Sequence, residues 1–208
     1  FEELTERLAN EEADYGCLAV ENSLVGSILR NYKLILEYPV KIIGEEYLRI
    51  RQNLLALAGQ KLEDIIEVHS HPMAIEQCKE FFKSHPGIQL INSIDTAQSA
   101  KEISEGQIQN RGAIGSDLAA KIYNLETVAA SIETNKENYT RFLILSHQKN
   151  GIRHHEYFNK ASICFALPHK TGSLSKRLRN IAFYEINLSK IESSPIMGEL
   201  WRYHFYVD

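Results

Sequence analysis

The sequence predicts an α/β protein with two units of different size, and three observations support this prediction. Short apolar runs alternate with amphipathic segments through the first 150 residues, a pattern typical of an α/β domain. A polar stretch over residues 148–159, with Gly151 and His154-His155, is typical of a linker. After it, apolar patterns predict a strand, a helix and two strands, which is most of a ferredoxin-like βαββαβ unit. We therefore expect domains over residues 1–148 and 160–208, joined by a linker over 149–159.

Strands and helices of the larger domain follow from apolar spacing and turn residues. The predicted strands cover residues 17–20, 54–58, 113–114, 127–130 and 141–145, with shorter apolar strand ends at 68 and 90–91. The predicted helices cover residues 1–14, 72–83, 96–103 and 117–123. Pro72 suits the first turn of a helix, whereas Asn124 suits a C-terminal stop. Ser116 is a predicted N-cap, and either Ser93 or Asp95 would cap the helix near residue 96.

The smaller unit has a strand predicted over residues 161–167, a helix over 173–184 and strands over 186–191 and 201–207. Three apolar residues of the helix, Leu174, Leu178 and Ile181, lie on one face. From Trp201 onward, apolar or aromatic residues alternate with more polar ones, which is the period of a strand with one buried face.

Composition argues against several classes of protein. The net charge of −4 and the lack of a basic run give no reason to expect a nucleic-acid partner. No apolar stretch approaches the roughly 20 residues of a membrane span, so no membrane partner is expected. The isolated cysteines, Cys17, Cys78 and Cys164, fit neither a disulfide framework nor a zinc site and favour packing roles in a reducing cytosol. His69 and His71 lack a third ligand, so neither a metal nor another cofactor is expected.

Three segments place hydroxyl, amide or guanidinium groups where an apolar strand meets a loop or helix. They are Glu21-Asn22-Ser23, Ser70-His71-Pro72 with Gln77 about one turn later, and Thr140-Arg141-Phe142. Ligands of open α/β sheets bind at such strand ends. Each segment alone also fits an ordinary structural role, because Asn22-Ser23 would suit a turn, Gln77 a solvent-exposed position and Thr140-Arg141-Phe142 a core strand.

In this order the segments, with Asp14-Tyr15-Gly16 before them and Gly26-Ser27 after the first, resemble the prephenate dehydratase family. The tail from Lys160 to Asp208 resembles the ACT regulatory domain that follows in that family, so the resemblance covers nearly the whole chain. It implies a two-lobed, periplasmic-binding-protein-like catalytic domain plus a ferredoxin-like ACT domain. Family members begin with a further strand and loop, and an ACT domain continues with a helix and a strand. The chain is therefore predicted to be a fragment lacking both ends.

The resemblance implies a cytoplasmic lyase of phenylalanine biosynthesis that converts prephenate to phenylpyruvate, carbon dioxide and water without a cofactor. It makes Thr140 the main catalytic residue, which donates a hydrogen bond or a proton to the leaving hydroxyl. It assigns substrate binding to Asn22, Ser23, Ser70, Gln77, Thr96, Ala97, Arg141 and Phe142. Arg141 would bind one substrate carboxylate in bidentate fashion, and the N–H groups at Thr96-Ala97 would hold an anion. The alternatives are helix caps at Ser70 and Thr96, and an ion pair of Arg141 with a structural carboxylate such as Glu133.

In the tail, the resemblance implies an allosteric phenylalanine site between two ACT domains, and hence a homodimer or homotetramer. The residues assigned to it are Gly172, Ser173, Leu174, Asn187, Leu188, Glu192, Ser193, Ser194 and Pro195. The helix N-terminus at Ser173 would receive the carboxylate of the amino acid. Ser175 stands where the family has an apolar residue, and Ser194 where it has an arginine. The rival prediction for the tail is therefore a dimerisation module that binds no effector.

Two other functions fit parts of the same pattern. Arogenate dehydratase shares the motifs of the catalytic domain. A non-catalytic amino-acid-binding protein would share the two-lobed fold, but Thr140-Arg141-Phe142 together with Glu21-Asn22-Ser23 favours the enzyme. A chorismate mutase fused upstream is compatible with either enzyme.

Overall fold

The computed structural model describes residues 1–150 and 158–208. The chain divides into the units Phe1–His147 and Gln148–Asp208, next to the boundary predicted at residue 148. Most of the predicted linker, including Gly151 and His154-His155, lies outside the described residues. Both units combine helices with β-sheet in their described parts, so the predicted α/β class is confirmed.

The first unit contains, in chain order, α1 (Glu2–Ala9), β1 (Tyr15–Asn22), β2 (Gly26–Ser27), α2 (Leu29–Glu37), β3 (Val40–Arg49), β4 (Asn53–Ala56), a 3₁₀ turn (Leu62–Asp64), β5 (Glu67–Ser70), α3 (Pro72–Gln77), α4 (Lys79–Lys83), β6 (Gln89–Asn92), α5 (Thr96–Gly106), β7 (Arg111–Gly115), α6 (Asp117–Ile122), β8 (Glu126–Ala129) and β9 (Tyr139–His147). The described part of the second unit contains β10 (Ile163–Ala166), α7 (Ser173–Phe183), β11 (Ile191–Pro195) and β12 (Tyr203–Val207).

The first lobe of unit one is an antiparallel sheet with the strand order β2-β1-β9-β3. Helix α1 packs closely on it because Gly16 has no side chain: a Cβ there would lie 2.6 Å from Leu8 Cδ1. Helix α2 is anchored by the buried Asn31, whose Nδ2 donates to the Ala19 carbonyl over 2.7 Å. The register pairs Asn22 with Thr140, so two predicted site residues lie opposite each other at the end of β1.

The second lobe is a sheet with the strand order β6-β5-β7-β4-β8. Strands β6, β5 and β7 are parallel, and β4 runs antiparallel to both of its neighbours. One core cluster contains Leu54 and Ile114, and a second contains their strand neighbours Leu55 and Ala113. Because successive strand residues point to opposite faces, the sheet is buried on both sides. Helices α3, α5 and α6 begin just beyond the carboxyl ends of β5, β6 and β7, and therefore at one edge of this sheet.

Two crossing segments join the lobes: residues 50–52 between β3 and β4, and residues 130–138 between β8 and β9. They bind each other, because the Ile50 N–H donates to the Asn138 carbonyl over 2.8 Å and the Ile132 N–H donates to the Gln52 carbonyl over 2.7 Å. Both segments are short, so the Thr140 end of the first sheet and the start of β4 in the second lie at the same junction. The two-lobed arrangement implied by the family resemblance is therefore confirmed.

Several predicted elements of unit one are wrong in detail. The opening helix ends at Ala9 rather than near residue 14, because Asn10 terminates it and Glu11 has a φ of 62°. The helix predicted over residues 72–83 is broken at Cys78 into α3 and α4. At the break the Gln77 carbonyl accepts a hydrogen bond from the Thr134 N–H of a crossing segment over 2.8 Å. Helix α2 and strand β3 have no counterpart in the sequence prediction.

The described part of unit two forms an antiparallel sheet in the order β10-β12-β11, with β12 between the other two strands. The strand predicted over residues 186–191 is wrong, because Glu185 has a φ of 54° and the chain extends only from Ile191. The next four residues, Glu192, Ser193, Ser194 and Pro195, lie beyond the predicted strand but are strand residues of β11. The identity of this unit as an ACT domain stays a prediction.

Within residues 1–150 and 158–208, no helix is long and apolar enough to cross a membrane. In the same part of the chain, no group of three or more His, Cys, Asp or Glu side chains is arranged to hold a metal ion. His71 has a structural role, because its Nδ1 accepts from the Met73 N–H over 3.2 Å and caps α3.

Candidate active site at the junction of the two lobes

The Asn22 side chain links the end of β1 to Thr140. Its Nδ2 donates to Thr140 Oγ1 over 3.2 Å and to Asn138 Oδ1 over 2.7 Å. Its Oδ1 accepts from the N–H groups of Leu24 over 3.0 Å and Val25 over 3.2 Å. The amide is therefore fixed with its nitrogen toward Thr140. Because Thr140 Oγ1 accepts this bond, its own hydrogen can be donated to a ligand.

Ser23 aligns the end of β1 with the start of β9. Its Oγ donates to the Glu137 carbonyl over 2.8 Å and accepts from the Tyr139 N–H over 2.9 Å. The Ser23 N–H donates to the Tyr139 carbonyl over 2.8 Å. The hydroxyl hydrogen is thus used within the protein, and substrate binding by Ser23 stays a prediction.

Arg141 follows Thr140 in β9, so the two side chains point to opposite faces of the sheet. The Arg141 side chain is only 6% exposed, and its Nη2 lies 2.7 Å and its Nε 2.8 Å from Glu45 Oε2. Its Nη1 lies 3.5 Å from Glu21 Oε2. The guanidinium is therefore paired with carboxylates of the protein, and its binding of a substrate carboxylate stays a prediction. Phe142 is half-buried and shares the Thr140 face.

The edge of the second lobe contains the other predicted polar residues. Ser70 is fully buried and its Oγ lies 3.4 Å from the Ile114 carbonyl, so it caps no helix. Thr96 is the first residue of α5, and Asp95 is the cap. Asp95 Oδ1 accepts from the Ala97 N–H over 2.8 Å, so an anion at this N–H would compete with the Asp95 carboxylate. Anion binding at Thr96-Ala97 therefore stays a prediction.

Gln77 connects α3 to both crossing segments. Its Oε1 accepts from Gln52 Nε2 over 3.2 Å, and its carbonyl accepts from the Thr134 N–H. The Gln52 N–H donates to Oε2 of the buried Glu133 over 2.9 Å. Glu133 thus holds the crossing segments together and is not the partner of Arg141. Because Gln77 is oriented through its oxygen, its Nε2 hydrogens are suited to donate to a ligand.

The three cysteines differ in their surroundings, and Cys78 lies at the helix break beside this junction. Burial, followed by the Glu133 carboxylate, raises the pKa of the Cys78 thiol to about 12. Burial also raises the pKa of Cys164, whereas Cys17 is exposed. The thiolate is the reactive form, so Cys78 should be inert while the protein is folded.

We therefore expect iodoacetamide at pH 8 to label Cys17 first and Cys78 only after denaturation. Peptide mass spectrometry of timed samples measures the order, and a Cys17→Ser variant shows that the fast site is assigned correctly. Labelling of Cys78 at the rate of Cys17 in native protein would contradict the buried environment.

In unit two, two predicted effector residues line a cavity. Ser173 and Leu174 at the start of α7 enclose about 130 Å³ together with aromatic and basic neighbours that include Lys170 and Trp201. Typical ligand pockets measure roughly 300–1,000 Å³, so this cavity alone is too small to enclose an amino acid fully. Gly172 has a φ of 79° and precedes the helix, and Ser194 in β11 is only 3% exposed.

Several residues of the junction were not assigned by sequence reasoning. Asn138 and Gln52 bind the predicted residues Asn22 and Gln77, and Glu45 binds Arg141. Their partners are distant in sequence, so no local spacing indicates these contacts. Of Asn138, Gln52 and Glu45, Asn138 is the one that the sequence indicates best, because it directly precedes Tyr139-Thr140.

Comparison with known proteins gives a consistent result. A family model described as prephenate dehydratase matches residues 1–150. A curated relative from Arabidopsis thaliana, "Arogenate dehydratase/prephenate dehydratase 2, chloroplastic", is 40% identical in an alignment of 204 residues that covers 94% of this chain and 53% of the relative. The chain therefore spans about half the length of such curated relatives.

Solved structures agree with the sequence comparison. A prephenate dehydratase from Arthrobacter aurescens in complex with L-Phe has a TM-score of 0.81 and 26% identity, over 99% of this chain and 68% of that chain. GqqA, described as a novel type of quorum quenching acylase, has a TM-score of 0.85 and 26% identity, over 100% of this chain and 75% of that chain. With a family model matched over most of its length, the chain belongs to the prephenate dehydratase family.

Proposed function

We propose that this chain forms the catalytic part of an enzyme that converts prephenate to phenylpyruvate, carbon dioxide and water. The supporting observation is the hydrogen bond from Asn22 Nδ2 to Thr140 Oγ1 over 3.2 Å. It occupies an acceptor position of the hydroxyl and leaves the hydroxyl hydrogen for a ligand. One directed donor is what the departure of a substrate hydroxyl requires.

In this reaction the bond from the ring to its carboxylate breaks, and the electron pair moves through the ring as the opposite hydroxyl leaves. The leaving oxygen takes up one proton, which comes from the solvent, and becomes water. Since the product ring is aromatic, the protein has to supply positioning and stabilisation of the leaving oxygen rather than a strong base. A threonine hydroxyl is a weak acid, so Thr140 acts mainly by donating a hydrogen bond to that oxygen.

Prephenate has two carboxylates, which need donors on either side of Thr140. Gln77 is the best placed in the second lobe, because Gln52 orients its amide at the junction. The N-terminal end of α5 at Thr96-Ala97 adds the positive end of a helix dipole. Asn22, Ser23, Ser70, Arg141 and Phe142 complete the proposed substrate-binding set. In addition, Asn22 orients the Thr140 hydroxyl through its Nδ2.

Arogenate is the second candidate substrate, because the Arabidopsis relative is named for both activities. Arogenate has an amino group where prephenate has the side-chain ketone, and the ring chemistry is the same. A site that accepts either would place Thr140 identically. The preference for prephenate or arogenate depends on protein groups near the side chain of the substrate.

The experiment uses the purified full-length protein and compares prephenate and arogenate as substrates. An acyl amide is the third substrate, because the structural neighbour GqqA is described as an acylase. We expect phenylpyruvate from prephenate or phenylalanine from arogenate, and no cleavage of the amide. Chromatography of the aromatic products measures each rate, with the non-enzymatic decay of each substrate subtracted. Lack of turnover with both cyclohexadienyl substrates would overturn the proposed function.

Regulation is the second part of the proposal. Phenylalanine binds unit two and inhibits the enzyme. A homodimer or homotetramer brings two such units together. The Arthrobacter prephenate dehydratase, which was solved in complex with L-Phe, supports the ligand. The cavity at Ser173 and Leu174 is small, so a second copy would be needed to close it. We also propose a cytoplasmic location, on the strength of the isolated cysteines.

We expect calorimetry on full-length protein to show saturable binding of phenylalanine at millimolar concentration. Trp201→Ala should weaken that binding about two- to tenfold, because an aromatic contact is worth roughly 0.5–1.5 kcal/mol. Met197→Ala is the matched control, since Met197 is 88% exposed in the same hairpin. Unchanged catalysis with no heat of binding would leave unit two as a dimerisation module.

A further inference from the structure

We propose that Asn138 is a positioning residue that keeps the Thr140 hydroxyl directed toward the substrate as a donor. The inference rests on the proposed function, because it concerns the hydroxyl that acts in that reaction. Asn138 does not touch the proposed substrate-binding groups of the second lobe. It acts through Asn22, whose amide lies between the two side chains.

The geometry around the Asn22 amide is specific. Its nitrogen has two hydrogens and three acceptors: Asn138 Oδ1 at 2.7 Å, Thr140 Oγ1 at 3.2 Å and the Tyr139 carbonyl at 3.2 Å. The contact to Asn138 is the shortest, so it decides where the amide nitrogen lies. Asn138 is itself fixed, because its side chain is fully buried and its carbonyl accepts from the Ile50 N–H over 2.8 Å.

The orientation of this amide determines what Thr140 can do. With its nitrogen toward Thr140, Asn22 donates and the threonine hydrogen is left for the leaving hydroxyl. With the amide turned over, Asn22 Oδ1 would accept the threonine hydrogen, and the donor would be lost to the substrate. Leu24 and Val25 N–H groups favour the first orientation at one end of the amide, and Asn138 Oδ1 favours it at the other.

An asparagine at position 138 would be unfavourable if the side chain served only to fill space in the interior. Its Nδ2 is buried and has no hydrogen-bond partner among the described residues. Leaving a buried amide nitrogen unbonded costs free energy, which an apolar residue of similar size would avoid. The side chain is therefore explained by its oxygen, and that oxygen binds Asn22.

A double-mutant cycle in the full-length enzyme tests the proposal. Asn138→Ala and Asn138→Asp are made in the wild-type and Thr140→Val backgrounds, and kcat, KM and Tm are measured for each. Asn138→Ala should lower kcat about tenfold, the size expected for one lost hydrogen bond, with little change in KM. Asn138→Asp keeps an acceptor for Asn22 and should recover most of the loss. In the Thr140→Val background, Asn138→Ala should lower kcat less than about twofold, because the group it positions is gone.

The control is Asn135→Ala, since Asn135 lies in the same crossing segment but is exposed and binds only the Glu137 N–H among described residues. An equal loss of kcat in both backgrounds would show that Asn138 is merely structural and would overturn the proposal. A rise in KM without a fall in kcat would also overturn the proposal. Failure of the wild-type enzyme to turn over prephenate or arogenate would instead overturn the proposed function, and this inference with it.

Discussion

Replacement of Thr140 by valine is expected to lower kcat about 10²–10³-fold while KM stays nearly unchanged, the effect of removing a donor that acts in the transition state. Valine has nearly the shape of threonine, so the strand and its packing should be preserved. The hydrogen bond from Asn22 to Oγ1 is lost, but Asn22 keeps Asn138 as an acceptor. Steady-state kinetics with prephenate and arogenate measure the split between kcat and KM.

Two further variants make the interpretation of this result specific. Thr140→Ser keeps the hydroxyl and should retain much of the activity. Thr127→Val changes an exposed threonine of β8 and should leave kcat unchanged. A Thr140→Val enzyme with near-wild-type kcat would remove the hydroxyl from the mechanism, and the Asn22 contact would then be structural.

Local signals predicted those elements whose formation depends on local residues. Helix α6 begins at the Ser116 cap and ends before Asn124, whose φ of 51° suits a helix stop. Strands β1 and β9 contain the apolar runs 17–20 and 142–145, and both strands lie between two neighbours in the sheet. In β1 the buried residues Gly16, Leu18 and Val20 alternate with more exposed ones, the pattern of a strand with one buried face.

Strand β3 was not predicted because it is an edge strand. Among the described strands it pairs only with β9, and most of its second half is exposed, so no apolar period of two remains over Gly44, Glu45 and Glu46. The break between α3 and α4 has a tertiary cause, since the Gln77 carbonyl binds Thr134 far along the chain. A signal of this kind is not present in the residues of the helix itself.

The same distinction applies to the candidate site. Asn22 and Thr140 are 118 positions apart, and the family motifs indicated both without indicating that they are hydrogen-bonded. Arg141 is the instructive case. Its partner Glu45 belongs to the unpredicted strand β3, so the sequence offered substrate binding or an ion pair with Glu133, where the structure shows an ion pair with Glu45 on the face opposite Thr140.

That ion pair leads to a prediction that separates a structural from a substrate-binding role. Arg141→Ala is expected to lower the free energy of unfolding by about 2–3 kcal/mol, somewhat less than the 3–5 kcal/mol of fully buried pairs. The discount is needed because the Glu45 side chain is 27% exposed and partly screened by water. The loss arises mainly from leaving the Glu45 carboxylate without its partner.

Removing both charges should therefore restore part of the stability. The Arg141→Ala/Glu45→Ala double variant is expected to be less destabilised than the sum of the single variants, with a coupling of about 1–2 kcal/mol measured by urea denaturation. Glu46→Ala is the matched control, because Glu46 is the neighbouring carboxylate of β3 and its side chain points to the opposite face. If the double variant regains stability and also keeps its KM for prephenate, Arg141 serves the fold. If stability returns but KM stays raised at least tenfold, the guanidinium binds a substrate carboxylate as the family motif implies, and the ion pair is the resting partner that the substrate replaces.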